Sequence, residues 1–232
     1  EAPENTLAGF LHAIEYGTQY VELDVQLSAD GHLVVIHDSR VDRTTGIAGR
    51  VDQFTATELS EMDARQDCPP WPAKTLTGIS TLAEVIQRTP EFKGYNIEVK
   101  ANDKKTAHII AEKLVELFDG AVSASDSIVT SSNLACHDAL IHLAPHITRG
   151  YVSTKTDPFP ILNKYRCRYL SAKWETLNKN TVRIAHADGV KVSAWTVNDA
   201  SIIADLFKLD IDSVITDFPS MALPLVARLM QR

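Results

Sequence analysis

Residues 20–38 read YVELDVQLSADGHLVVIHD, two short runs of alternating apolar and polar residues joined by a turn. Such alternation is typical of β-strands. The turn at residues 29–31 is too short for a parallel crossover, so we predict a tight antiparallel hairpin there. Glu22, Asp24 and His37 lie within these otherwise apolar runs. Their presence needs a chemical explanation.

The composition is that of a globular protein. The chain has 232 residues, 44% of them hydrophobic and 23% charged, with a formal net charge of -7. A negative charge argues against a general nucleic-acid binder, but it does not exclude a small anionic substrate. Cys68, Cys136 and Cys167 are far apart and show no metal-binding spacing, so reduced thiols and a cytoplasmic location are expected. No apolar run approaches the roughly 18 residues of a membrane span.

Strands and helices alternate along the rest of the chain. After the hairpin, strands are predicted at residues 95–100, 127–132, 147–153, 169–174, 190–197 and 212–217. Helices are predicted at 5–17, near 55–58 and 81–84, at 104–118, 134–144, 179–188 and 201–209, and from Pro219 onward, with a shorter helical piece between the strands at 147–153 and 169–174. Residues 39–80 are less regular and contain Pro69, Pro70 and Pro72.

Repeated strand–helix units predict an α/β fold, a mostly parallel sheet with helices outside it. A closed barrel and an open doubly wound sheet both fit this pattern. No G-x-G-x-x-G follows the first strand, as a dinucleotide-binding sheet would require, and the count of about eight strands favours a distorted (β/α)₈ TIM barrel. We therefore expect one domain over residues 1–232, with one antiparallel hairpin step and a small irregular insertion at about 39–80.

Charged residues recur at alternate positions of two predicted strands. Glu22 and Asp24 share one face of the first strand, and the NIEVK run places Glu98 and Lys100 in the same way. Carboxylates that converge inside a barrel need a partner, because unpaired buried charge is very costly. Oxygen ligands favour Mg²⁺ or Ca²⁺. Solvent exposure on an edge strand is the alternative for one such pair, and His37 alone is more often an exposed or satisfied histidine.

Several motifs in order carry a family resemblance. They are APENT (2–6), VELDVQLSADGHLVVIHD (21–38), RTTG (43–46) with Gly49, NIEVK (96–100), SAWTVN (193–198) and VITDFP (214–219). Together they resemble the glycerophosphodiester phosphodiesterase family, within the phospholipase-C-like phosphodiesterases and in its compact bacterial type. The resemblance implies a distorted TIM barrel that uses Mg²⁺ or Ca²⁺ to hydrolyse glycerophosphodiesters to sn-glycerol 3-phosphate and an alcohol.

The resemblance also implies roles for individual residues. It makes Glu22, Asp24 and Glu98 the metal ligands, and His37 one of two acid/base histidines. It makes Lys100 a phosphate or transition-state partner and places Trp195 on the glycerol side of the pocket. Glu4 and Asn5 would brace the active-site loop. The family carries His-Arg-Gly shortly before PENT, with the second histidine and a phosphate-binding arginine. This chain opens at Glu1, so we expect a first strand with that motif upstream of the given sequence.

Other functions are kept as alternatives. A related lyase would stop at a cyclic phosphate, and a non-catalytic barrel would bind metal and phosphodiester without turnover. A purely structural barrel is disfavoured, because it would not require five charged or titratable residues at strand positions: Glu22, Asp24, His37, Glu98 and Lys100. A serine hydrolase is disfavoured because no G-x-S-x-G surrounds Ser131 and Ser132. No motif indicates the head group or the oligomeric state.

Overall fold

The computed structural model describes residues 1–66, 68, 71, 74–120 and 127–231. Pro69, Pro70 and Pro72 of the predicted irregular segment lie outside the described residues.

Eight strands form one sheet. They are β1 (Tyr20–Leu27), β2 (Leu33–Val35), β3 (Gly94–Val99), β4 (Ile128–Ser131), β5 (Arg149–Ser153), β6 (Tyr169–Lys173), β7 (Lys191–Trp195) and β8 (Ser213–Val214). Their spatial order is β2-β1-β3-β4-β5-β6-β7-β8. Only the β1–β2 pair is antiparallel, with Val25 opposite Val35. All other described neighbours run parallel.

Helices connect the parallel strands. They are α1 (Leu7–Glu15), α2 (Asp42–Thr45), α3 (Ala56–Ser60), α4 (Leu82–Arg88), α5 (Lys104–Gly120), α6 (Leu134–Leu143), α7 (Phe159–Tyr165), α8 (Lys179–Ala187), α9 (Ala200–Lys208) and α10 (Pro219–Leu229). Side-chain caps set several of their starts, as when Thr55 and Thr81 each accept the backbone N–H three residues later. Among the described helices, none is both long enough and apolar enough to cross a bilayer.

The core lies between the sheet and its helices. Leu23 and Val25 of β1 and Ile97 of β3 are fully buried in one cluster, which also contains Leu114 of α5 and Leu140 of α6. A second cluster joins β5, β6 and β7 to α7 and α8. Because alternate residues of a strand face opposite ways, burying the apolar residues of β1 against helices turns Glu22 and Asp24 to the other face of the sheet.

The predicted fold class is confirmed as a curled, mostly parallel eight-stranded sheet with one antiparallel pair. Two details differ from the sequence prediction. β2 ends at Val35, so His37 lies in the bend after the strand rather than within it. β8 contains only Ser213 and Val214, because the residues after it turn into the loop that precedes α10.

The packing of α6 allows a matched stability test. Leu140 is fully buried, whereas Leu134 on the same helix is 37% exposed. Leu140→Ala should lower the free energy of unfolding by about 2–5 kcal/mol, because it removes buried methyl groups and leaves a cavity. Leu134→Ala should cost under about 1 kcal/mol. Chemical denaturation measures both, and equal losses would show that α6 does not pack as described.

Candidate functional site

Three carboxylates meet on the face of the sheet opposite the helices. Parallel pairing of β1 with β3 sets Glu22 beside Asn96 and Asp24 beside Glu98. One oxygen each from Glu22, Asp24 and Glu98 lies within 4.8 Å of the other two. One oxygen of Glu22 is buried and has no hydrogen-bond partner within the described part of the chain. The strand register thus brings together Glu22 and Glu98, which lie 76 residues apart in the sequence.

Lys100 is the cation of this cluster. Its Nζ lies 2.6 Å from Oε1 of Glu98 and 3.2 Å from Oδ1 of Asp24. Burial by itself would lower the pKa of Lys100, but the charges of Asp24 and Glu98 outweigh burial and raise that pKa. The ammonium is therefore held charged at neutral pH.

Burial raises, rather than lowers, the pKa of two of the carboxyls. It raises the pKa of Glu98, and the charge of Asp24 raises it further while Lys100 acts against both. The pKa of Glu22 is raised well above its ordinary value, first by burial and then by the charges of Asp24 and Glu98. Asp217, in the loop after β8, adds to this repulsion. The site is thus short of positive charge.

Asn5 fixes the orientation of Asp24. The side-chain amide of Asn5 donates to Oδ2 of Asp24 at 2.9 Å, and its carbonyl oxygen accepts the backbone N–H of Asp24 at 3.1 Å. Asn5 has a φ of 53°, the left-handed region that asparagine tolerates better than most residues. The loop before α1 is therefore tied directly to a proposed metal ligand.

His37 stands at the edge of the cluster, in a chain of paired groups. Its Nδ1 is 2.7 Å from Oδ1 of Asp38, whose Oδ2 accepts from Nε of Arg43 at 2.7 Å. Arg43 also binds both carboxylate oxygens of Glu4, at 2.7 and 2.8 Å. The hydrogen bond from Arg43 is the main reason that the pKa of Asp38 is lowered. The side chain of His37 is 52% exposed, so its ring is open to a ligand.

Gln26 holds the backbone of this bend. Its amide donates to the carbonyl of His37 at 2.9 Å and also contacts the carbonyl of Asp38. Gln26 therefore anchors the backbone that carries the imidazole, and Asp38 orients the ring.

Trp195 lies on another part of the sheet. It ends β7 beside Lys173 of β6, and four strand-to-strand steps separate β7 from β3. Its indole N–H is buried and has no partner among the described residues. A buried donor without a partner is available to a ligand oxygen.

The donor set fits a hard divalent cation. Three carboxylates within 4.8 Å, one with an unpartnered oxygen, match the oxygen ligands of Mg²⁺ and Ca²⁺. Sulfur and imidazole ligands are absent from this described cluster, which argues against a structural zinc site.

Comparison with known proteins identifies the family. Residues 1–221 match the Glycerophosphoryl diester phosphodiesterase family. The chain belongs to this family. The expected family and the expectation of an enzyme are both confirmed.

Relatives cover nearly the whole chain. A glycerophosphodiester phosphodiesterase of Caldanaerobacter subterraneus is 33% identical over 232 residues, covering 97% of this chain and 93% of that protein. One from Bacillus altitudinis is 32% identical, covering 95% and 91%. The structure of an Oleispira antarctica phosphodiesterase in complex with the product sn-glycerol-3-phosphate aligns with a TM-score of 0.87 at 27% identity, covering 97% of this chain and 92% of that one.

The structure brings most of the predicted site residues together, and their roles stay predictions. Glu22, Asp24, Glu98 and Lys100 form one cluster, and Asn5 contacts it directly. Sequence reasoning assigned no role to Arg43 or Gln26. The RTTG motif was the available signal for Arg43, but its partner Glu4 lies 39 residues away and could not be inferred from spacing.

Glu22 provides a test of charge crowding in the cation-free protein. Below its ordinary pKa of 4.5, this carboxyl is protonated in both the folded and the unfolded protein. As pH rises through the elevated folded-state pKa, ionisation favours the unfolded protein. In EDTA, Glu22→Gln should therefore raise the free energy of unfolding at neutral pH, and this gain should vanish toward pH 4.

The matched control is Glu116→Gln, at an exposed position of α5. Urea denaturation across pH 4–8 compares both variants with the parent. A gain for Glu22→Gln that is independent of pH, or equal to that of Glu116→Gln, would contradict the crowding described above.

Proposed function

We propose that the protein hydrolyses glycerophosphodiesters to sn-glycerol 3-phosphate and an alcohol, with Mg²⁺ or Ca²⁺ at Glu22, Asp24 and Glu98. The observation that carries this proposal is the packing of three carboxylates around one ammonium, with one buried oxygen left unpartnered. The family and the product complex of the Oleispira relative support the substrate class.

The cation would polarise a phosphoryl oxygen and offset the charge of the three carboxylates. Lys100 supplies the protein's own positive charge. An ammonium has three N–H donors, and two of them point to Glu98 and Asp24. The third is available to a phosphoryl oxygen, where it stabilises the negative charge that develops in the transition state.

His37 transfers protons in this proposal. Asp38 accepts from Nδ1, which leaves Nε2 to face the substrate. In the first step the glycerol 2-hydroxyl attacks phosphorus, loses its proton to a base, and the alcohol leaves with a proton from an acid. Water then opens the cyclic phosphate with the two roles exchanged. His37 fills one of these two roles.

Glycerol would lie toward Trp195, whose buried indole N–H can donate to a hydroxyl oxygen. Glu4 and Asn5 would brace the loop through Arg43 and Asp24. Since all eight described strands join one sheet, we infer a single catalytic domain over residues 1–232. The small-molecule substrate is the partner this proposal requires, and a cytoplasmic location stays a prediction.

The direct test measures release of sn-glycerol 3-phosphate from diesters with glycerol and choline head groups. The full-length protein is assayed with EDTA and then with added Mg²⁺ or Ca²⁺. We expect release that EDTA abolishes and the cation restores. Accumulation of a cyclic phosphate would instead identify the lyase, and cation binding without turnover would identify a binding protein.

His37→Ala tests the proton-transfer role. We expect kcat to fall by at least about 100-fold, the range for loss of a general acid or base. Cation affinity, measured by calorimetry, should stay within about twofold because His37 is not among the three clustered ligands. The control is His108→Ala, whose side chain on α5 is 54% exposed. Unchanged turnover in His37→Ala would remove this residue from the mechanism.

A further inference from the structure

A cavity of about 480 Å³ opens beside His37 and Lys100. Its walls come mainly from the segments that follow β2, β3 and β4, together with Gln26 of β1 and Val99 of β3. It is therefore continuous with the side of the site where His37 would exchange a proton with the leaving alcohol. The proposed function does not assign a ligand to it.

The charged groups of this cavity are already paired. Asp38 is bound by His37 and Arg43, and Arg40 donates to Asp42 at 2.9 Å. The charged atoms of Asp38 and Arg40 therefore already have hydrogen-bond partners. An ionic head group would have to displace an existing partner.

Two of the lining amides are committed to the backbone. Asn133 caps α6 by accepting from Ala135, and it donates to the carbonyl of Ala101 at 2.7 Å. Gln26 holds the bend at His37. These side chains shape the cavity and are not available to a ligand.

Three further polar side chains line the cavity and are available. Within the described part of the chain, the side chains of Ser39, Asn102 and Ser132 make no hydrogen bond. They offer two hydroxyls and one amide, which both donate and accept. Hydroxyl groups of a ligand match such partners, because each hydroxyl also donates and accepts one bond.

A quaternary ammonium finds poor partners here. Cation recognition of that kind uses the faces of aromatic rings. Among the described residues that line the cavity, the His37 imidazole is the only ring, and both carboxylate oxygens of Asp38 are already engaged by His37 and Arg43. The wall chemistry therefore favours an uncharged, hydroxyl-bearing group over choline.

The position fits the leaving group. Trp195 stands at the end of β7, whereas this cavity contains His37 and Lys100 in its walls and none of its described lining residues lies on β5, β6 or β7. We propose that this cavity binds the departing alcohol and selects hydroxylated head groups, such as glycerol, over choline. The inference rests on the proposed function and specifies the alcohol half of its substrate.

The test compares three diesters of sn-glycerol 3-phosphate, with glycerol, choline and ethanol as the alcohols. We expect kcat/KM to be highest for the glycerol head group. Asn102→Ala and Ser132→Ala should each lower kcat/KM for that substrate by about threefold to tenfold, the effect of one lost hydrogen bond between uncharged groups. Both should leave the ethanol diester within about twofold.

Asn163→Ala is the matched control, because Asn163 is exposed on α7 and distant in sequence from every lining residue. It should change none of the three values. Circular dichroism melts of all variants show whether a loss of activity comes from unfolding. Because two independent variants are tested, the comparison still holds if one of them misfolds.

The outcomes separate the two proposals. If none of the three diesters is hydrolysed, the proposed function fails and the inference with it. If all are hydrolysed but choline is preferred, or if Asn102→Ala and Ser132→Ala lower all three equally or none, only the head-group inference is overturned. Selective loss on the glycerol diester supports it.

Discussion

The site depends on three carboxylates and one ammonium held together at the face of a sheet. Their spacing is set by backbone hydrogen bonds, since the parallel register places Asp24 beside Glu98 and leaves Lys100 just past the end of β3. The same strands bury Leu23, Val25 and Ile97 on the opposite face. Apolar burial on one side therefore supplies the free energy that keeps like charges close on the other.

The antiparallel step has a structural consequence that a parallel strand would not have. Because β2 folds straight back along β1, the backbone N–H of Ile36 reaches the carbonyl of Asp24 at 2.9 Å. This short hairpin thereby places the next residue, His37, at the edge of the carboxylate cluster. Arg43 then joins that hairpin to Glu4 on the loop before α1, so two segments that are distant in sequence hold the imidazole.

Sequence reasoning predicted what short-range patterns determine. Alternation revealed the strands, and the spacing of Glu22 and Asp24 placed them on one face. It could not predict the end of β2 at Val35, because Ile36 is buried and continues the apolar run beyond the strand. Nor could it find the pairing of Glu4 with Arg43, or a cavity assembled from three separate loops. Those features depend on which strands become neighbours, which the chain specifies only through the whole fold.

Charge explains why the two halves of the site differ in chemistry. With all three carboxylates ionised, Lys100 leaves the cluster with excess negative charge, and a phosphodiester is itself an anion. Anion binding at this point therefore requires that the carboxylates first be offset, which is the strongest physical argument for a cation there. The adjoining cavity has the opposite character, because the oxygens of Asp38 are already engaged by His37 and Arg43, and Arg40 is paired with Asp42. A neutral alcohol can enter and leave it without electrostatic cost, as a departing product must.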